Sequence, residues 1–112
     1  MRFLRFNRCR GLRLLRWKFW QIEVWYCPRA EQIPAHRHPH MDGRILWLGG
    51  HMMFVRNGEG IELRLRDTCK GFYVEHEDWH AARVMGRFGI FAVIEHWLLP
   101  PTSAAFDIVY DT

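Results

Sequence analysis

Cysteine is scarce and scattered in this sequence: Cys9, Cys27 and Cys69 are odd in number and contain no CxxC pair. That argues against a disulfide framework and against a zinc ribbon, and leaves a reducing, cytoplasmic setting as the expectation. Long apolar runs are also missing. The basic start is broken by arginine too often to form a signal-peptide core, and no apolar stretch approaches the ~20 residues of a membrane span, so a soluble protein with no membrane partner is expected. Acidic residues are absent before Glu23, whereas Arg2, Arg5, Arg8, Arg10, Arg13, Arg16 and Lys18 supply seven of the sixteen Lys and Arg. The net charge of +4 therefore belongs to one segment. Low-complexity tracts and internal repeats are lacking, and no helical period is sustained over a dozen residues outside the arginine-rich start.

What is present is a short, apolar, aromatic-rich chain. Its 112 residues suit one domain, and 49% hydrophobic with 15% aromatic content suits a packed core and excludes disorder. We expect a single domain over 1–112, with a basic N-terminal extension over 1–17, a barrel over 18–99 and a C-terminal tail over 100–112. Trp20, Ile22, Val24 and Tyr26 share one parity and Gln21 and Glu23 the other, the period of a half-buried strand. "CPRAEQIP" reads as a connection, and "RILWLGG" as a short strand ending at its glycine pair. "HMMFVR" and "IELRLR" flank "NGEG", a hairpin signal in which Asn57 and Gly58 tolerate positive φ. "FYVEHEDWHAARVM" carries two short strands around an acidic bend, and "MGRFG" turns into the apolar run "IFAVIEHWLL", closed by Pro100 and Pro101. Short strands separated by Gly and Pro turns argue for an all-β sandwich or barrel.

The chemistry is concentrated in "IPAHRHPHMDGRILWLGG". In an extended strand residues two apart share a face, so His36 and His38 present neighbouring imidazoles, and Asp42 has the same parity if the chain stays extended. Two imidazoles and a carboxylate form half of a transition-metal site. His51, His76, His80 and His96 are candidates to complete it, with His80 favoured by its place after "EHEDW". The alternative is a solvated histidine-rich loop in which Asp42 and Gly43 only turn the chain.

Here the sequence resembles the cupin superfamily. The first cupin motif is His-x-His, an acid after three or four residues, then six residues and a glycine, and His36, His38, Asp42 and Gly49 meet that spacing. The second motif places a histidine after a turn, where "EHEDWH" has His80. Asp42 is one methylene shorter than the family's usual Glu, and Glu75 and Glu77 replace its Pro and Gly. The resemblance spans roughly Trp17 to Leu99 and implies a small double-stranded β-helix, or jelly-roll, barrel. It also implies a divalent transition metal (Fe, Mn, Zn or Ni) on His36, His38, Asp42 and His80, with His40 a supporting neighbour.

Three functional readings follow. The first is a small metal-dependent enzyme acting on a small-molecule ligand, with Glu75, Glu77 and Asp78 as candidate acids or bases. The second is a non-catalytic binding or interaction protein with a structural metal. The third is nucleic-acid binding through Arg2, Arg5, Arg8, Arg13 and Arg16, set against a packed role in which arginine stems cover apolar surface. Because related domains pair through strands, a homodimer is the expected assembly. Whether the protein is an enzyme stays open at this stage, as do substrate and metal.

Overall fold

The computed structural model describes residues 2–98 and 109–110. Strands dominate: β1 (Arg2–Phe6), β2 (Cys9–Trp17), β3 (Trp20–Pro28), β4 (Gln32–Arg37), β5 (Met41–Arg56), β6 (Glu59–Leu63), β7 (Gly71–Val74), β8 (His80–Trp97) and β9 (Val109–Tyr110), with one 3-10 turn at Leu65–Asp67. All strand pairs are antiparallel, and among the described residues there is no α-helix. The expected tail over 100–112 lies outside the described residues apart from the β9 backbone, which pairs Tyr110 with His36.

The spine is the pair β5 and β8. These strands are 16 and 18 residues long and run alongside each other from Met41↔Trp97 to Arg56↔His80. Strands of that length bend, and here the pairing register slips between Trp47 and Gly49 and again between Gly50 and Met52. Glycine is required at the bend. Gly50 has φ +88°, and a Cβ there would strike the Phe88 carbonyl; a Cβ at Gly89 would strike the Met52 side chain. "RILWLGG" and "HMMFVR" are thus one bent strand rather than two, and "MGRFG" lies inside β8 rather than forming a turn. Glycine reads as punctuation in a sequence, but a bent strand also uses it to let backbones approach. Pro34, the end of the stretch expected to be a connection, lies within β4 at the irregularity between Ile33 and His36, where its missing N–H costs no ladder bond. The Asn57–Gly58 hairpin forms as expected, with φ of 49° and 83°.

The two halves of β8 have different neighbours. Its first half lies between β5 and β4, and its second half between β5 and β3. The sheet closes around a core of Cys9, Cys27, Trp47, Met52, Phe54, Leu63, Val74 and Phe91. The arginine-rich start forms β1 and β2, continuous with the same sheet through Leu12↔Val24 and its neighbours. Of its arginines, Arg13 is half-buried and lines the cavity, whereas Arg2, Arg5, Arg8, Arg10 and Arg16 are exposed, with Arg5 also on the cavity lining and Arg8 paired with Glu31.

One strand inverts the expected sidedness. In β3 the polar parity faces inward: Gln21 is 3% and Glu23 8% exposed, while Trp20 and Tyr26 are 48% and 45% exposed. A pattern shows that two faces differ, not which one the closed sheet encloses.

Candidate metal centre

His36 lies near the end of β4, directly opposite His80 at the start of β8, and His38 follows one residue beyond the strand. The turn carrying His38 and His40 is held at its backbone: the His40 carbonyl accepts from Leu98 N at 2.7 Å, and the His38 carbonyl accepts from Glu77 N at 3.4 Å. The ring centroids are 4.1 Å apart for His36 and His80, 4.9 Å for His36 and His38, and 5.1 Å for His38 and His80. One ring nitrogen from each lies within 4.8 Å of the other two. Three imidazoles therefore converge on one point of the wall of a cavity of about 410 Å³.

The protonation pattern suits metal ligation. Burial lowers the pKa of His38 to about 3, helped by the neighbouring His36 and His80 charges, and lowers that of His80 to about 4. Burial lowers His36 as well, opposed by the Pro34 carbonyl. All three are neutral at neutral pH, so each ring keeps one nitrogen lone pair, the form in which imidazole ligates a metal. Two tautomers are also fixed. His36 Nδ1 lies 2.8 Å from the Pro34 carbonyl and His80 Nδ1 lies 3.1 Å from the Asp78 carbonyl. A carbonyl only accepts, so both Nδ1 atoms donate and both Nε2 atoms keep their lone pairs, the orientation that ligating histidines have in metal sites.

Asp42, expected as the fourth ligand, is not part of this cluster. The chain does not stay extended after His38. It turns at Pro39 and His40 before β5 begins, which breaks the shared parity. The Asp42 carboxylate instead accepts from His76 N at 2.7 Å and sits 2.9 Å from His76 Nδ1. Nor is His40 in the cluster. His51 is on Glu62 at 2.9 Å, and His96 packs against the Trp20 ring. Of the acidic bend, Glu77 pairs with Arg37, and Asp78 accepts from Asn57 and from Glu75 N, so these carboxylates hold the turn that delivers His80.

A second polar group lines the same cavity and was not singled out in the sequence. Gln21, Glu23 and Glu95 are all buried, and Gln21 Nε2 donates to Glu23 Oε2 at 2.7 Å and Glu95 Oε2 at 3.2 Å. Trp25 Nε1 donates to Glu23 Oε1 at 3.2 Å. Burial, then the hydrogen bond and charge of Glu23, raise the Glu95 carboxyl well above its usual range, while Arg13 and Arg16 pull it down. The available signal was polar residues alternating with bulky aromatics in β3, a pattern readable with either face inward.

No family model and no curated relative matches the sequence. The fold itself has many counterparts among solved structures. The cupin domain of Schizosaccharomyces pombe Cnp3 superposes with a TM-score of 0.75 at 11% identity, over 87% of this chain and 69% of that one. A cupin superfamily protein from Desulfitobacterium hafniense DCB-2 gives 0.69 at 20% identity, over 84% and 82%. The polyketide cyclase RemF from Streptomyces resistomycificus gives 0.76 at 13% identity, over 95% and 72%. The chain has the fold of the cupin superfamily, the double-stranded β-helix. Identities this low carry the fold and not the activity.

Proposed function

We propose that the protein is a metal-dependent enzyme that binds one divalent transition ion on His36, His38 and His80 and acts on a small molecule held in the cavity. The observation that carries this is the convergence of three neutral imidazoles, two with fixed tautomers, on the wall of a partly open cavity of about 410 Å³. Three protein donors leave coordination positions open, which is the arrangement of catalytic rather than structural sites. The donor set carries no charge and suits iron, zinc or nickel, with manganese less favoured for want of a carboxylate. When bound, such an ion would supply Lewis-acid or redox chemistry to a substrate oxygen.

The chain's own residues do the rest. Ile33, Phe54, Phe72, Val74 and Phe91 give the cavity an apolar wall that excludes water and favours a substrate with a hydrophobic body. The Pro34 and Asp78 carbonyls hold two rings in position. A fold neighbour that is a polyketide cyclase is compatible with an enzyme on this scaffold. Metal-free protein reloaded separately with iron, nickel and zinc, then incubated with a library of uncharged small molecules, is expected to convert at least one of them with one ion, and His80→Ala is expected to abolish that conversion. Tight ligand binding with no conversion under any ion would favour the non-catalytic binder instead.

A further inference from the structure

The cavity has two polar regions, and the second is as specific as the first. β8 connects them: its first half brings His80 to the imidazole cluster, and its second half sets Glu95 opposite Gln21 of β3. Gln21 is 97% withdrawn from solvent by its 3% exposure. Its Nε2 donates to Glu23 Oε2 and to Glu95 Oε2. That leaves Gln21 Oε1 buried in the cavity wall without a hydrogen-bond partner. One strand away, Arg13 lies opposite Glu23, lines the same cavity, and its Nε is likewise buried and unpartnered. Leaving such atoms unmet is costly, and in native proteins each calls for a partner.

We propose that Gln21 and Arg13, held by Glu23 and Glu95, bind an uncharged small molecule through an adjacent donor and acceptor, as in a hydroxy-carbonyl compound, with its apolar body against Trp25, Phe54 and Phe91. This rests on the reading of the cavity as a substrate site and names the class of substrate. Gln21 Oε1 lacks a donor, which a ligand hydroxyl supplies. Arg13 Nε lacks an acceptor, which a ligand carbonyl supplies. Arg13 lies opposite Glu23 on the paired strand, so its charge already faces a carboxylate, which favours an uncharged acceptor there. The inverted sidedness of β3 has the same explanation, since an enclosed Gln-x-Glu pair with aromatics turned outward gains nothing as a plain core.

The test uses the full chain, metal-free and metal-loaded, with three probes of one shape: 2-hydroxyacetophenone, acetophenone and benzoate. Affinities are measured by titration calorimetry and ligand-observed NMR. The hydroxy-ketone is expected to bind about tenfold more tightly than acetophenone, and benzoate more weakly than either. Gln21→Leu is expected to remove the tenfold preference while leaving metal uptake unchanged. If that variant fails to fold, Gln21→Met and the probe ranking on the parent protein decide the matter. Equal affinity for the three probes, binding of none, or an unchanged preference in the folded variant overturns the proposal. Preference without any metal uptake would instead overturn the metal reading and leave this one standing.

Discussion

Replacing His38 with alanine is expected to weaken binding of a divalent transition ion by at least about a hundredfold, because even residues that only support metal ligands cost ten- to a hundredfold when removed. His38 is one of three donors whose nitrogens lie within 4.8 Å of one another, and no other described His, Cys, Asp or Glu joins that group. Asp42→Asn and His40→Ala are expected to change the affinity by no more than about threefold, within the ordinary scatter of neighbouring substitutions. Asp42 is committed to His76, and His40 is held by its backbone to Leu98. Competition titrations with a chromogenic chelator measure all three, with denaturant midpoints to verify folding. A His38→Ala protein that binds as the parent does, or an Asp42→Asn protein that loses as much, contradicts the geometry.

Metal-free protein in which Glu95 is changed to glutamine is expected to lose about 3 kcal/mol of stability between pH 6.5 and pH 5. His38 and His80 have folded pKa values lowered to about 3 and about 4, below the usual 6.5. Over that interval the unfolded chain takes up protons that the folded chain refuses. Each ring therefore shifts the balance toward unfolding by about 1.5 kcal/mol as the pH falls, and above pH 6.5 neither contributes. His36 acts in the same direction. Glu95 opposes them. Burial and Glu23 raise its folded pKa, so the folded chain keeps a proton that the unfolded chain releases, and its contribution is lost as pH rises. The parent consequently shows a partly cancelled response, Glu95→Gln uncovers the histidine loss, and a protein with His38 and His80 both changed to glutamine gains stability on acidification. Denaturant unfolding at the two pH values reads all three slopes. A Glu95→Gln protein equally stable at both would contradict the placement of the rings.

The sequence made the strand-rich fold and two of the three imidazole positions legible, because strand alternation and His-x-His spacing are local properties. His80 needed more than local reading. Its pairing with His36 joins positions 44 residues apart, and the family spacing supplied what periodicity could not. Asp42 was misplaced because parity holds only while a strand continues, and Pro39 with His40 turns the chain first. β5 and β8 were read as pieces because Gly49, Gly50, Gly86 and Gly89 look like turn residues when only the sequence is considered. Whether such a glycine ends a strand or lets it bend depends on what approaches it, here Phe88 at Gly50 and Met52 at Gly89. The buried Gln21, Glu23 and Glu95 were least legible of all. Polar side chains are inside only when something pairs with them, and that partner comes from another strand 74 residues away.

The most direct test is the metal content of untagged protein purified without chelator, set beside a variant with His36 and His80 both changed to alanine. The account predicts close to one transition-metal ion per chain in the parent and none in the folded variant. A parent that holds no ion even after reconstitution with iron, manganese, nickel and zinc, or a variant that retains it, would contradict the three-histidine site.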